Sequence, residues 1–148
     1  MHVLRAWTYP VKSMGGSPVQ QLELSATGVI GDRCYALRDP EGRLGSGKGG
    51  GRFRRLDGLI EYRAWHGAEG VLISFPDGRT YRADAPDTEA RLADALGAPV
   101  SLVRADDGSH VDSASVHLLT TASLTWLARA LPGAADERRF RPNLVIEA

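Results

Sequence analysis

The residues best suited to chemistry lie near the carboxyl end of the chain, where residues 139–143 read Arg-Phe-Arg-Pro-Asn. A guanidinium group can hold a planar anion or a phosphate through two parallel hydrogen bonds. Asn143 adds an amide that can both donate and accept. The apolar run Leu144–Ile146 follows at once and predicts a buried strand. The stretch predicts either an anion-binding edge or, taken alone, a solvated turn before the last strand.

Three further polar clusters lie far from this stretch in the sequence. Lys12 and Ser13 belong to a turn, and Asp32 and Arg33 form a charged pair before a predicted strand. Residues 120–123 lie where a strand gives way to a helix, and the unpaired backbone N–H groups at a helix start favour anions. Together these groups predict a phosphate site. Each taken alone is typical of a turn, an ion pair or a helix cap.

The segment of residues 45–52, Gly-Ser-Gly-Lys-Gly-Gly-Gly-Arg, is the richest in glycine. Glycine lets backbone N–H groups approach a phosphate closely. The segment is not a Walker A loop, because no Lys-Ser or Lys-Thr pair follows the required spacing. A mobile loop without function is the simpler interpretation.

Candidates for proton transfer are Asp32, His117 and Glu147. Asp32 is next to Arg33, so we expect it to stay ionised and to orient other groups rather than act as an acid. The unperturbed pKa of a histidine, about 6.5, suits acid–base catalysis. His117 begins a predicted core strand, however, and a structural role is the simpler interpretation.

Short strands separated by turn residues must position these groups. The strands are predicted at residues 2–8, 18–24, 34–38, 59–65, 71–75, 80–82, 99–103, 116–120 and 144–146. Helices are predicted at residues 87–96 and 121–131, and hairpin turns at residues 39–42 and 76–79. Many short strands with two or three short helices predict an α+β fold that is mainly β and barrel-like.

The composition excludes several classes of protein. A chain of 148 residues is most simply one domain, and 18 basic residues balance 18 acidic ones, which argues against a nucleic-acid partner. The single cysteine excludes an internal disulfide and a cysteine-clustered zinc site, and the four histidines show no metal-ligand spacing. No apolar run has membrane-spanning length and no signal-peptide pattern is present. We expect a cytoplasmic protein without a membrane partner.

The polar clusters also carry a family resemblance. Residues 9–13 (Tyr-Pro-Val-Lys-Ser) and 28–33 (Gly-Val-Ile-Gly-Asp-Arg) resemble the N-terminal β-barrel half of the MOSC family. Residues 117–124 and 139–146 are similar to the start of the MOSC domain proper. The resemblance implies a single MOSC-like domain, with a β-barrel-like half at residues 1–105 and a truncated MOSC core segment at residues 106–148.

The resemblance further implies a site for the molybdenum cofactor, or molybdopterin. The residues that it assigns to that site are Lys12, Ser13, Arg33, Thr121, Ser123, Arg141 and Asn143. The first three match positions that bind the pterin phosphate in the family. The next two match the polar start of a helix beside the cofactor, and the last two match the arginine and asparagine that face the same ligand.

One departure from the family concerns the metal. In active members the chain continues beyond the strand that corresponds to Leu144–Ile146 and supplies a cysteine that ligates molybdenum or carries sulfur. This sequence ends at Ala148, and Cys34 lies in the other half, where a buried cysteine behaves as an inert hydrophobe. We therefore assign no metal ligand. We expect a second copy of the chain or a completing polypeptide to cover the open sheet edge.

Three functions stay open at this point. The first is binding of molybdenum cofactor or a related phosphorylated pterin or anion, with oxidoreductase or sulfur-transfer chemistry in a homodimer or with a partner. The second is a reduced, metal-free relative that acts as a small-molecule binding module or a cofactor-independent enzyme. The third is a dimeric scaffold without a ligand.

Overall fold

The computed structural model describes residues 2–106 and 109–148, which are mostly β-structure with two α-helices. The strands are β1 (Val3–Thr8), β2 (Ser17–Val19), β3 (Leu24–Ser25), β4 (Gly28–Val29), β5 (Tyr35–Arg38), β6 (Leu44–Ser46), β7 (Phe53–Arg55), β8 (Arg63–Gly67), β9 (Gly70–Ser74), β10 (Thr80–Arg82), β11 (Ser101–Arg104), β12 (Leu118–Thr120) and β13 (Leu144–Ile146). The α-helices are α1 (Thr88–Leu96) and α2 (Thr121–Ala130), and single 3-10 turns occupy Leu59–Glu61 and Glu137–Arg139. Neither α-helix of the described chain has the length and apolar character needed to cross a bilayer.

The described strands form four sheets, and none of them closes into a barrel. Their orders are β12-β13-β1-β2, β10-β9-β8, β11-β5-β6-β7 and β3-β4. The sheets meet through isolated bridges, Val11 with Tyr35 and Gly15 with Arg63, rather than through continuous ladders. The predicted α+β class with mainly β-structure is confirmed. The described strands do not form a closed barrel, because a single bridge between two sheets does not extend into a shared strand.

The two ends of the chain share one sheet. β1 lies between β2 and β13 and runs antiparallel to both, whereas β12 runs parallel to β13 at the edge. The backbone N–H of Trp7 donates to the carbonyl oxygen of Asn143 at 2.9 Å, next to this ladder. The Arg-rich stretch before β13 therefore lies beside the loop that follows β1.

The loop of residues 9–16 is anchored in the main apolar core. Val11 and Met14 are fully buried and pack in one cluster with Leu37, Ile73 and Leu92. Burying a side chain of this size contributes about 1.5–3 kcal/mol. Because the residues on both sides of Lys12 and Ser13 are core residues, the loop holds those two polar residues in a fixed place.

Gly16 sets the path by which this loop leaves the core. A Cβ atom at this position would lie 2.2 Å from the carbonyl oxygen of Thr8 and 2.5 Å from the ring of Tyr9. No side chain fits there without moving the backbone of β1. The chain can therefore fold back tightly, and β2 pairs with β1 immediately afterwards.

Most of the predicted elements are confirmed, with three exceptions. The predicted strand at residues 59–65 is divided, because Gly58 with φ of 79° starts a 3-10 turn before β8. The predicted strand at residues 18–24 is interrupted after Val19. The glycine-rich segment is bracketed by β6 and β7, which pair in parallel and which the sequence pattern did not predict.

Candidate functional site

Three residues of the predicted site share an uncommon backbone conformation. Ser13, Arg33 and Arg141 have φ of 68°, 51° and 49°, and they are the non-glycine residues with positive φ in the part of the chain described. A left-handed conformation costs an L-residue on the order of 1–2 kcal/mol. Strain of this kind persists where the surrounding structure over-determines it, and it clusters at ligand sites. At all three positions, hydrogen bonds from neighbouring residues hold the backbone in this conformation.

Lys12 and Ser13 are held by both their backbone and their side chains. The N–H of Lys12 donates to the carbonyl oxygen of Tyr35 at 2.8 Å, and the Ser13 hydroxyl donates to that of Gly45 at 3.2 Å. The Lys12 side chain is only 3% exposed. Its ammonium forms an ion pair with Asp112 and donates to a second, backbone oxygen at 2.9 Å. The turn predicted from the sequence thus presents a buried lysine.

Asp32 and Arg33 bind the backbone of Tyr9, the residue that follows β1. The carboxylate of Asp32 accepts from the N–H of Tyr9 at 2.7 Å, and the N–H of Arg33 donates to the carbonyl oxygen of Tyr9 at 2.7 Å. Asp32 also forms an ion pair with Arg33, whose guanidinium donates to the carbonyl oxygen of Arg141 at 3.2 Å. Asp32 is buried and fully engaged, which favours an orienting role. A catalytic role for Asp32 stays a prediction.

Arg141 has hydrogen-bonding capacity that the described residues do not use. Its Nη1 atom is buried and has no hydrogen-bond partner among residues 2–106 and 109–148. Burial lowers the pKa of Arg141, and the nearby charge of Arg33 lowers it further. An unpaired guanidinium nitrogen at a buried position is costly. This is the strongest sign that the site is built to receive an additional acceptor.

The predicted cations lie close enough together to influence one another. Burial lowers the pKa of Lys12, while its hydrogen bond to Asp112 opposes that shift. The positive charges of Arg141 and Arg33 add to the lowering of the Lys12 pKa. The contacts agree, because the guanidinium of Arg33 donates to the carbonyl oxygen of Arg141 at 3.2 Å, and Asp112, which pairs with Lys12, lines the same cleft as Arg141. The structure therefore brings Lys12, Arg33 and Arg141 into one region.

Arg141 and Ser13 border a cleft of about 600 Å³, which we call the cationic cleft, and Lys12 and Arg33 lie behind its lining residues. Its lining residues are Ser13, Ser46, Gly47, Lys48, Leu56, Asp57, Gly58, Leu59, Ile60, Asp112, Arg139 and Arg141. A second cleft of about 600 Å³, the aromatic groove, shares Ile60 and Arg139 with the first. The rings of Trp7 and Tyr9 line it and stack with centroids 6.4 Å apart. The cationic cleft and the aromatic groove are thus adjacent.

The helix-start residues lie elsewhere. Thr120 caps α2 by accepting from the N–H of Ser123 at 3.1 Å, and the two hydroxyls are 3.0 Å apart. The Thr121 hydroxyl both donates to and accepts from the backbone of Ala148. Ser123 lines a separate apolar groove beside Trp126. The structure does not bring Thr121 and Ser123 into the cationic cleft, and their role in ligand binding stays a prediction.

Asn143 is fully buried and binds backbone groups. Its side-chain oxygen accepts from the N–H of His117 at 3.0 Å, and its amide donates to the carbonyl oxygen of Trp7 at 3.4 Å. The carbonyl oxygen of His117 in turn accepts from the N–H groups of Asn143 and Leu144. Asn143 therefore joins the ends of the chain. Ligand contact by Asn143 and proton transfer by His117 stay predictions.

Cys34 is half-buried beside the core rather than in the lining of the cationic cleft. Burial raises the pKa of its thiol, which favours the unreactive protonated form. Its sulfur lies 3.5 Å from the carbonyl oxygen of Pro10. No group of three or more histidine, cysteine or acidic side chains that could hold a metal ion occurs in residues 2–106 and 109–148.

The sequence patterns missed several residues of the cationic cleft. Lys48, Arg52 and Asp112 form one ionic cluster with Lys12, and Phe53 lies against the cations. One available signal was the scarcity of lysine: the two lysines of the chain both belong to this cluster. Asp112 lies in a polar loop and gave no signal, because its partners are 64 and 100 positions away.

Comparison with known proteins gives one match. The sequence model of the MOSC N-terminal beta barrel domain matches residues 1–121, which is most of the chain. The matched region contains Lys12, Arg33 and Asp112 and extends past the predicted division at residue 105. No curated protein and no solved structure matches the chain.

Proposed function

The chain belongs to the MOSC N-terminal beta barrel domain family, and we propose that it binds the molybdenum cofactor or a related phosphorylated pterin through the cationic cleft. The observation that carries this proposal is the buried Nη1 atom of Arg141, which has no partner among the described residues. A phosphoryl oxygen is a suitable acceptor for it, because guanidinium–phosphate hydrogen bonds are among the strongest in proteins.

The proposed binding mode uses both clefts. Ser13 and Arg141 hold the phosphoryl group from the wall of the cationic cleft. Lys12 and Arg33 add positive charge from behind that wall, where Lys12 pairs with Asp112 and Arg33 binds the carbonyl oxygen of Arg141. The aromatic groove next to it accommodates the planar ring system, which stacks well on aromatic side chains. Arg139 lies at the junction and contacts both parts of a ligand of this shape.

The residues of this chain contribute binding and orientation. Three cations hold a phosphoryl group by charge and hydrogen bonds, and Asp32 keeps Arg33 in place. Burial lowers the pKa of Arg141, but the pKa of a guanidinium ordinarily lies far above neutral pH, so we assign it charge stabilisation rather than proton transfer. When bound, the molybdenum cofactor would supply two-electron redox or sulfur-transfer chemistry.

The position of Cys34 favours a second candidate function. The thiol lies against the core, and the lining of the cationic cleft that the structure describes includes no cysteine. A reduced relative that binds a phosphorylated small molecule without a metal would keep the cationic cleft and lose the thiolate. Alternatively, a homodimer partner or a completing polypeptide would supply the metal ligand.

The proposal is tested by what co-purifies with the protein. We expect protein produced in a host with an active cofactor pathway to release a fluorescent oxidised pterin on denaturation, and Arg141→Gln to release little. Arg79→Ala, which alters an exposed hairpin arginine, is the matched control and should retain the pterin. Wild-type protein without pterin, even after co-expression with the cofactor pathway, would contradict the proposal. Pterin without molybdenum would support the metal-free candidate.

A further inference from the structure

A single carboxylate binds both lysines of the chain. Lys12 forms an ion pair with one oxygen of Asp112, and the ammonium of Lys48 lies 3.2 Å from the other oxygen. The guanidinium of Arg52 donates to the carbonyl oxygen of Asp112 at 2.8 Å and lies 3.8 Å from its carboxylate. Three basic residues, each far from Asp112 in the sequence, therefore contact this one acidic residue.

One aromatic ring also joins these cations. The charged groups of Lys12, Lys48 and Arg52 lie 5.5, 4.3 and 5.0 Å from the centroid of the Phe53 ring. The face of an aromatic ring attracts cations within about 6 Å. The ring and Asp112 together hold three like charges close to one another, although one carboxylate neutralises only one of them. The cluster therefore retains an excess of positive charge.

Asp112 lies between the cationic cleft and Lys12. Asp112 lines the cationic cleft and its side chain is 32% exposed, whereas the Lys12 side chain that it binds is 3% exposed. Burial alone would raise the pKa of Asp112, but the hydrogen bonds and charges of Lys12 and Lys48 outweigh it and lower that pKa. The carboxylate is thus ionised at neutral pH and meets an incoming anion before Lys12 does.

We propose that Asp112 is an internal counterion that occupies the place of a ligand's phosphoryl group, and that a dianionic phosphoryl group displaces it from Lys12, Lys48 and Arg52. This inference rests on the proposed function and names the class of ligand and the regulation of the same cleft. A ligand with one carboxylate would replace Asp112 by a group of the same charge and would leave the net charge of the cluster unchanged. A phosphate monoester or a diphosphate neutralises the remaining positive charge and so gains from the exchange.

The inference also assigns a function to the glycine-rich segment. Lys48 lies within it and Arg52 ends it, immediately before β7. Gly50 and Gly51 have φ of 95° and 56°, a backbone conformation open to glycine at no steric cost. The segment places Lys48 in the lining of the cleft and Arg52 against Asp112, and its backbone can adjust when the phosphoryl group replaces the carboxylate.

The test is a titration of the full chain with inorganic phosphate, followed by calorimetry and by NMR of protein labelled with ¹⁵N at the lysine Nζ atoms. The chain has two lysines, so two side-chain signals report on the cluster. In Asp112→Asn the competing charge is absent, and we expect phosphate to bind about tenfold more tightly than in the wild type, because the binding-competent state is more populated. Saturating phosphate should shift both lysine signals.

Asp57→Asn is the matched control. Asp57 lines the same cleft but pairs with Arg55 at 2.8 Å rather than with either lysine. The substitution removes the same charge from the cleft without freeing Lys12, and we expect it to change phosphate affinity by less than about twofold, as for a screened surface charge. Asp112→Ser repeats the charge removal with a different side chain, and a thermal melt of each variant verifies that it is folded.

The outcomes separate the inference from the proposed function. Phosphate affinity that is unchanged or weaker in both Asp112 variants would overturn the inference, since Asp112 would then position Lys12 for the ligand. Acetate binding as tightly as phosphate would overturn the assignment of a dianion. If wild type binds phosphate and Arg141→Gln does not, the proposed site stands whichever way the Asp112 variants behave. Binding to none of these proteins would overturn both.

Discussion

The cationic cleft and the start of α2 are both rich in hydrogen-bonding groups, yet they use them differently. At the helix start, Thr120 and Thr121 bind the backbone of Ser123 and Ala148. In the cleft, a buried nitrogen of Arg141 has no partner among residues 2–106 and 109–148. The helix start is thus a completed cap, while the cleft has donors available. Polar residues alone do not identify a binding site; the donors left unpaired do.

Backbone conformation gives the same contrast. Ser13, Arg33 and Arg141 adopt positive φ around the cleft, whereas Thr120, the N-cap of α2, has an ordinary extended conformation with φ of −106°. The chain retains strained conformations at the cleft because neighbouring hydrogen bonds fix them. The helix start needs no strain to form its cap.

The largest expected effect separates the two regions by ligand affinity. We expect Arg141→Gln to weaken inorganic phosphate binding about a hundredfold, in line with the 2–5 kcal/mol that truncating a buried charged partner costs. Thr121→Ala should leave the affinity within about twofold, because its hydroxyl already binds Ala148 and lies outside the cleft lining. Calorimetric titration measures both. Equal losses in the two variants would erase the proposed difference between the regions.

The next effect concerns stability rather than binding. Asn143→Ala leaves the part-buried N–H of His117, next to β12, without its acceptor, and we expect it to lower the free energy of unfolding by about 2 kcal/mol. Urea denaturation measures this change. Glu147→Gln, at an exposed residue paired with His2, is the control and should be nearly neutral. Unchanged stability with lost phosphate binding would instead place Asn143 among the ligand-binding residues.

A smaller effect tests backbone strain at Ser13. Both Ser13→Gly and Ser13→Ala remove the hydroxyl that binds Gly45, but only glycine relaxes a φ of 68°. We expect the glycine variant to be about 1 kcal/mol more stable than the alanine variant in denaturation experiments. At Ser17, in β2, the order should reverse, because glycine weakens a strand. The same order at both positions would contradict strain at the cleft.

The smallest effect is a pH dependence at the wall of the aromatic groove. Hydrogen bonds from Arg5 lower the pKa of Glu137 below its ordinary value of 4.5, and Trp7 adds to that shift. Glu137 therefore stabilises the fold above pH 4.5, by less than about 1 kcal/mol because Arg5 is partly exposed. That stability is lost as the pH falls through the lowered pKa.

Comparison of wild type with Glu137→Gln in urea checks this expectation. The difference in unfolding free energy should be constant from about pH 7 to pH 5 and shrink below the ordinary pKa of 4.5. A difference that persists at lower pH would show that Glu137 acts through packing rather than charge.

Local patterns in the sequence predicted the fold where they were unambiguous. Alternation and turn residues located β9, the turn at residues 76–79 and β10, and Gly97 ended α1 as expected from its left-handed conformation. The parallel pairing of β6 with β7 was not predictable, because Gly45 and Ser46 have no strand preference. The barrel was expected from many short strands, but the bridges between sheets are set by tertiary contacts.

The sequence located candidate site residues where single side chains carry chemistry. Lys12, Arg33 and Arg141 were identified from their types and converge in the structure. Asp112 was not, because an isolated aspartate in a polar loop looks solvated until its distant partners are known. The groups already bound to neighbouring backbone, such as the Thr121 hydroxyl, could not be distinguished from available ones without coordinates.

A crystal structure of the protein grown with inorganic phosphate tests the central claim most directly. We predict a phosphate in the cationic cleft within hydrogen-bond distance of the Nη1 atom of Arg141. Phosphate found only at the start of α2 or on other surface arginines, with the cleft empty at saturating concentration, would contradict the claim that the unpaired donors of the cleft form the binding site.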